Sequence, residues 1–326
     1  STMNVLDEVR RPVEAELRLY TSLFDEALTH EDDLLGRALA YVRGRRGKMM
    51  RPLLVLLVAR ECGAVGEGAL RSAVTLELLH TASLVHDDVV DESAQRRGQA
   101  SANAVFGNKV AVLVGDYLLS MALRQSAMTG DLRCVDIVAR LGAQLSEGEV
   151  FQLSNVRSEG FSEEAYYSVI RRKTASLFAA CAELGAITSG ADDGFAAQAR
   201  RLGELLGMCF QIRDDIFDYY DAPAIGKPTG NDMREGKLTL PVLYALRTAG
   251  DAALADMAAR VKRGEATDGE MARLVAETKR LGGIDYARSV MCGLRDRARE
   301  VLRGFGNESV RRALSLYLDY VVEREQ

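Results

Sequence analysis

The sequence predicts an all-α fold, and three observations carry that expectation. Only five prolines occur in 326 residues, and none lies between Pro52 and Pro223. A proline inside a helix removes a donor and clashes with the preceding turn, so a long proline-free stretch rich in Ala, Leu, Arg and Glu suits helix. Alternating Val/Ile/Thr runs joined by Asn-Gly or Asp-Gly turns, the mark of hairpins, are absent. Apolar residues recur instead at spacings of three and four, as in Val74, Leu78, Leu79, Ala82 and Val85.

The pattern places helices over 4–29, 32–43, 50–62, 67–92, 108–128, 131–155, 162–173, 174–190, 193–219, 238–249, 251–263, 268–280, 284–303 and 307–324. Several starts carry their own signals. Pro52 stands near the start of the third helix, where a missing N–H matters little. Ser162 precedes Glu163 and Glu164, a capping hydroxyl followed by acids in a first turn. Thr267-Asp268 and Asn307-Glu308 repeat the arrangement. The segment 220–237 mixes Pro, Gly, Asn and charge and reads as a linker or a functional loop. No fixed-period repeat suggests a solenoid, and no composition shift divides the chain, so one domain over 1–326 is expected.

Composition narrows the function. Lys and Arg number 42 against 47 Asp and Glu, a net charge of −5, so no basic excess points to nucleic acid. Hydrophobic residues at 48% and charged residues at 27% match globular proteins rather than disordered or fibrous ones. The apolar run Leu53 to Ala59 is far too short to span a bilayer. No charged-then-apolar signal segment opens the sequence, and five scattered cysteines form no CxxC pair. A reduced, cytoplasmic protein is the expectation.

Two aspartate clusters stand out: DDVVD, with Asp87, Asp88 and Asp91, and DDIFD, with Asp214, Asp215 and Asp218. Each ends an apolar helical stretch. Positions i and i+4 share a helix face, which aligns Asp87 with Asp91 and Asp214 with Asp218. Like charges so placed repel, and acids at a helix C-terminus face the negative end of its dipole. A bound cation reverses both penalties. Oxygen ligands without His or Cys suit Mg²⁺, which takes one or two carboxylates and bridges to phosphates. One such cluster alone reads equally well as a solvated acidic helix end; two, each with apolar spacers, read as sites.

Basic groups complete the inventory. Lys48 and Arg51 are three apart at the start of an apolar helix, where N–H groups favour an anion. Arg96 and Arg97 follow the first aspartate cluster and offer planar forks for phosphate oxygens. Arg171, Arg172, Lys173 and Thr174 form a third group, and Lys227 and Lys237 a fourth. His80 lies seven residues before Asp87 in an apolar run, on about the same face, and His86 adjoins the cluster as a supporting partner or a plain polar residue. Gln211 precedes Asp214 by three. Together these fit a site for two diphosphates and Mg²⁺. There is no glycine-rich nucleotide loop and no Ser-His-Asp or Cys-His order.

These residues resemble one family throughout. DDVVD and DDIFD resemble the two aspartate-rich motifs of the trans-isoprenyl diphosphate synthases, the polyprenyl synthetase family. GKMMRP at 47–52, LLHTASLVHDD at 78–88, RRG at 96–98, KTA at 173–175 and GKPTGNDMREGKLTLP at 226–241 match in order and spacing. The likeness covers nearly the whole chain and is strongest to bacterial long-chain all-trans members. It implies a single all-α helical bundle around a deep central cavity (the isoprenoid synthase fold), usually a homodimer. It implies head-to-tail condensation of isopentenyl diphosphate onto an allylic diphosphate such as farnesyl diphosphate, without a protein general base. On the matching positions, Asp87 and Asp91 hold two Mg²⁺ and Asp214 a third, with Asp88, Asp215 and Asp218 in or beside that shell. Arg96, Lys173, Thr174, Gln211 and Lys227 hold the allylic diphosphate; Lys48, Arg51, His80 and Arg97 hold isopentenyl diphosphate. Asp87, Asp91, Asp214, Lys173 and Arg96 are the catalytic set, and Gln152 sits near the metals.

Product length is expected to follow from Ala82 and Ser83, one turn below Asp87, where a bulky aromatic would stop the chain. Both are small, so an open tunnel and a product of roughly C30 to C50 are expected, at about 5.4 Å of helix per turn. A quinone side chain is the expected use, with transient membrane contact for release. The alternatives are a short-chain farnesyl or geranylgeranyl synthase, a terpene cyclase, and an inactive partner subunit or scaffold. Lys48, Arg51 and Asp218 argue against the cyclase, and intact aspartates in both motifs against an inactive subunit.

Overall fold

A computed structural model describes residues 4–220 and 230–325. Among these the chain is almost wholly helical. The order is α1 (Val5–Arg10), α2 (Glu14–Ala27), α3 (Asp33–Gly44), α4 (Met50–Glu61), α5 (Glu67–Val90), β1 (Gln95–Arg96), β2 (Gln99–Ala100), α6 (Ala102–Phe106), α7 (Asn108–Ala127), α8 (Leu132–Arg157), α9 (Glu163–Ile170), α10 (Ser176–Ile187), α11 (Asp193–Phe217), α12 (Asn231–Arg234), α13 (Leu240–Ala249), α14 (Ala252–Arg263), α15 (Asp268–Arg280), α16 (Gly283–Leu302) and α17 (Glu308–Glu323).

The capping signals act as expected. Ser162 accepts from the Ala165 N–H at 3.1 Å, Thr267 and Glu270 form a reciprocal capping box, and Asn307 accepts from Val310 at 3.2 Å. Three departures have local causes. The expected helix 4–29 is interrupted at Pro12 by a 3₁₀ turn over Arg11–Val13, because proline supplies no N–H. The expected break after 173 is instead a π-helical turn, Arg171–Ala175, joining α9 to α10. Strands were not expected, yet Gln95–Arg96 and Gln99–Ala100 pair as a two-residue antiparallel ribbon, too short to leave a periodic signal.

The chain divides into two compact units. The first comprises 1–142, 177–203 and 300–317; the second comprises 143–176, 204–299 and 318–326. In the first, α4 is buried on every face: Leu53 through Ala59 are all fully enclosed. Burying each large aliphatic side chain contributes about 1.5–3 kcal/mol. Helix α5 packs on α7 at very short range, because a Cβ at Gly115 would fall 2.2 Å from the His86 ring. His86 Nε2 bonds to the Val112 carbonyl at 3.0 Å and lies 3.4 Å from Asp116, so this histidine ties α5 to α7. The second unit has its own close approach. A Cβ at Gly148 of α8 would lie 2.9 Å from both Arg172 and Lys173 of the π turn.

Candidate functional site

In the first unit the basic groups gather around α5. Arg51 stands in the first turn of α4, its guanidinium 4.9 Å from the centre of the Phe178 ring. Lys48 is exposed just before that helix. Arg97 and Gly98 turn the short ribbon with φ of 52° and 77°, and the Arg97 fork comes within 3.6 Å of where a Cβ would stand on Gly47. The GKMMRP and RRG segments therefore meet. Met49, Glu92 and Arg97 are the non-glycine residues with positive φ among those described, and all three flank these segments or the first aspartate motif. Each such residue stores about 1–3 kcal/mol of strain, which clusters at functional sites.

His80 lies among these cations. Burial, and then Arg51, Arg96 and Arg97, hold its pKa well below the ordinary histidine value, so its imidazole is neutral at pH 7. Glu77, one turn earlier on the same face, was not singled out by sequence. Burial raises its pKa, opposed by Arg51, Arg97 and Arg46.

The first aspartate motif closes α5. Asp87 is half-buried, and Asp91 is the exposed residue just past the helix, its N–H bonded to the Asp87 carbonyl at 2.8 Å. Asp88 is buried and clasped by Arg96, with Nη2 to Oδ1 at 2.9 Å and Nε to the two oxygens at 3.1 and 3.2 Å. Arg96 is thus bound to Asp88 here, and Asp88 is turned toward protein. Below the motif, Ala82 is fully buried, whereas Ser83 keeps partial exposure and donates to the His80 carbonyl at 2.6 Å.

In the second unit a cavity of about 150 Å³, open to solvent, is lined by Gln152, Lys173, Thr174, Gln211 and Asp215, with Tyr166 at its wall. The π turn, which inserts an extra residue per turn, carries Lys173 and Thr174 into it. Lys173 Nζ donates to Gln152 Oε1 and pairs with Glu149, each at 2.8 Å. Thr174 donates to Gln211 Oε1 at 2.7 Å, and Gln211 Nε2 donates to Asp215 Oδ1 at 2.9 Å. Five expected site residues thus fall into two hydrogen-bonded sets on one cavity wall, Lys173 with Gln152 and Thr174 with Gln211 and Asp215. Lys227 lies outside the described residues.

The second aspartate motif closes α11. Asp215 is buried and accepts from the Tyr166 hydroxyl as well as from Gln211. Burial pushes its pKa up to about 7, against the pull of those two hydrogen bonds. Asp214 accepts from Arg324 Nη2 at 2.7 Å yet stays 42% exposed. Asp218 accepts the Asp232 N–H at 3.0 Å. Tyr166, Arg324 and Asp232 were missed by sequence reasoning. Neither Tyr166 nor Arg324 lies in a motif or carries a local signal.

The donors fit Mg²⁺. Asp87, Asp91 and Asp214 offer hard oxygen ligands with solvent access. No three His, Cys, Asp or Glu side chains converge into an all-protein cage among the described residues. Mg²⁺ does not need one, since it completes its shell with water and phosphate oxygens.

Comparison with known proteins identifies the family. The Polyprenyl synthetase family model matches residues 32–278. The octaprenyl diphosphate synthase of Haemophilus influenzae is 38% identical over 286 residues, 86% of each chain. A geranylgeranyl pyrophosphate synthase structure from Bacteroides thetaiotaomicron is 48% identical, with a TM-score of 0.87 over 98% of this chain and 99% of that one. A Caulobacter crescentus polyprenyl synthase complexed with calcium and isoprenyl diphosphate is 33% identical, with a TM-score of 0.92 over 100% of this chain and 99% of that one. This chain belongs to the polyprenyl synthetase family and is a prenyltransferase of the all-α isoprenoid synthase fold.

Proposed function

We propose that this enzyme is a Mg²⁺-dependent long-chain all-trans polyprenyl diphosphate synthase. The observation that carries the reading is that the pair Lys173–Gln152 and the chain Thr174–Gln211–Asp215 line one cavity of the second unit. It is a wall of cation, hydroxyl and amide donors ending on a motif carboxylate, and an allylic diphosphate is the anion that suits it. In the first unit, Lys48, Arg51, Arg97 and neutral His80 receive isopentenyl diphosphate.

The chemistry follows from these groups. The allylic C–O bond breaks and its electron pair leaves with diphosphate. Lys173 stabilises the charge that develops there, which is preorganised electrostatic catalysis. The isopentenyl double bond attacks the allylic carbon, and the released diphosphate takes the proton that is lost. Asp87 and Asp91 of the first unit, and Asp214 of the second with Asp218 beside it, would hold Mg²⁺, about three ions, which would supply Lewis-acid neutralisation of a leaving diphosphate. Asp88 and Asp215 orient the donors around them. Surrounding apolar side chains exclude water.

Product length is read from α5. Ser83, which keeps partial exposure one turn before Asp87, is the level at which the growing chain passes, and Ala82 packs behind it. Neither side chain is bulky enough to stop elongation, which supports a product of roughly C30 to C50 by the 5.4 Å advance of each turn. The octaprenyl relative supports the same reading. The 48% identity to a geranylgeranyl pyrophosphate synthase favours the second reading, a C20 product. Mass spectrometry of the product from farnesyl and isopentenyl diphosphates decides between them. A long wild-type product, shortened to about C15–C20 by Ser83→Phe with the first condensation retained, is the expected result, since one turn of tunnel is filled. A wild-type product that ends at C20 would overturn it.

The enzyme works as a homodimer in the cytoplasm. Val105, Val112, Leu113 and Leu123 of α6 and α7 are exposed apolar residues that suit a second copy. Among the described residues no helix is long and apolar enough to cross a membrane.

A further inference from the structure

Lys262, the next-to-last residue of α14, belongs to no motif considered so far. Its ammonium donates to the Gly160 carbonyl at 2.8 Å and to Ser158 Oγ at 3.3 Å, and it lies 5.9 Å from the centre of the Phe161 ring. These three residues belong to the connection 158–162 between α8 and α9. A cation beside the carbonyl end of α8 is favoured by the helix dipole as well as by the hydrogen bonds. Burial lowers the Lys262 pKa, so this contact is held against a desolvation penalty.

The connection is part of the candidate site. Gly160, Phe161, Ser162 and Lys262 itself line the same cavity as Lys173, Thr174 and Gln211. A second wall of that cavity rests on the same helix end. A Cβ at Gly236 would lie 3.5 and 3.6 Å from the carbonyl oxygens of Val261 and Lys262, and 3.3 Å from Val156 of α8. Gly236 and its neighbours Lys237, Leu238 and Thr239 also line the cavity. The end of α14 therefore anchors two segments of the wall, one by backbone packing and one by the Lys262 side chain.

We propose that Lys262 is a positioning residue for the allylic diphosphate: its ammonium draws the 158–162 connection against α14 and thereby sets the width of the cavity mouth. This rests on the assignment of that cavity to the allylic diphosphate. Lys262 touches the wall and not the reacting atoms, so it governs how well the substrate is held and not the rate once it is bound.

Two substitutions test this. Lys262→Met keeps the apolar stem and removes the donor; Lys262→Arg restores a donor of similar reach. Steady-state kinetics of the full chain with Mg²⁺, farnesyl diphosphate and isopentenyl diphosphate should show that Lys262→Met raises KM for farnesyl diphosphate at least about fivefold, while kcat and KM for isopentenyl diphosphate stay within about twofold. Hydrogen-exchange mass spectrometry of the substrate-free proteins should show faster exchange over 158–166 in Lys262→Met, and Lys262→Arg should return both readouts toward wild type. A raised KM with unchanged exchange would mean that Lys262 binds the diphosphate directly, and would overturn the proposal. So would unchanged KM and unchanged exchange. If exchange rises while KM for isopentenyl diphosphate is the constant that changes, the positioning contact stands and the assignment of this cavity to the allylic substrate fails.

Discussion

The two aspartate motifs share one pattern and live in different chemistry. In the first, the middle carboxylate, Asp88, is buried and answered by a full charge, the Arg96 fork at 2.9–3.2 Å. In the second, the matching Asp215 is equally buried but answered, among the described residues, by neutral donors, Tyr166 and Gln211, and burial raises its pKa to about 7. Burial disfavours a charged carboxylate, and hydrogen bonds to it work against that penalty. The difference teaches that DDxxD specifies where carboxylates stand and leaves their partners, a charged fork or neutral donors, to residues outside the motif.

The largest test removes the outer carboxylates that the two motifs have in common. Asp87→Ala and Asp214→Ala should each lower turnover at least about 10²-fold, the scale of one strong electrostatic stabiliser, and activity should vanish when chelator removes divalent metal. Near wild-type turnover in either variant would show that the two motifs are not equivalent in function.

The middle carboxylates give the sharper contrast. Arg96→Gln leaves Asp88 buried without its cation and should lower unfolding free energy by about 2 kcal/mol or more. Tyr166→Phe should lower it by only about 1 kcal/mol, because Asp215 retains Gln211 and can accept a proton. Urea unfolding of the metal-free proteins measures both, and the reverse order would break the comparison.

The smallest expected effect concerns His80. Its folded pKa is depressed, so neutral His80 contributes stability above the ordinary histidine pKa, and that contribution is lost as pH falls through the folded value. The Tm of wild type minus that of His80→Gln should therefore be larger at about pH 7.5 than at about pH 5. A difference independent of pH would remove the burial of His80, and with it the effect of Arg51, Arg96 and Arg97, from the account.

Much of this was legible in the sequence because it is local. Helix class, the caps at Ser162, Thr267 and Asn307, and the placement of both motifs at helix ends depend on spacings within a few residues. The π turn was not legible. It shifts the register by one residue within a continuous apolar pattern, so a break between helices was expected where the chain continues, and that shift is what carries Lys173 and Thr174 toward Gln152 and Gln211. The ribbon at Gln95–Ala100 was hidden because two-residue strands have no period.

The sequence by itself determined the fold class, the family and the types of groups available for diphosphate and Mg²⁺, since these follow from composition, periodicity and motifs read along the chain. Only the tertiary structure decided which carboxylates face protein. Asp214 meets Arg324 across 110 positions and Asp215 meets Tyr166 across 49. Such partners are set by how helices pack, and packing depends on close approaches like Gly148 against the π turn, which no local pattern encodes.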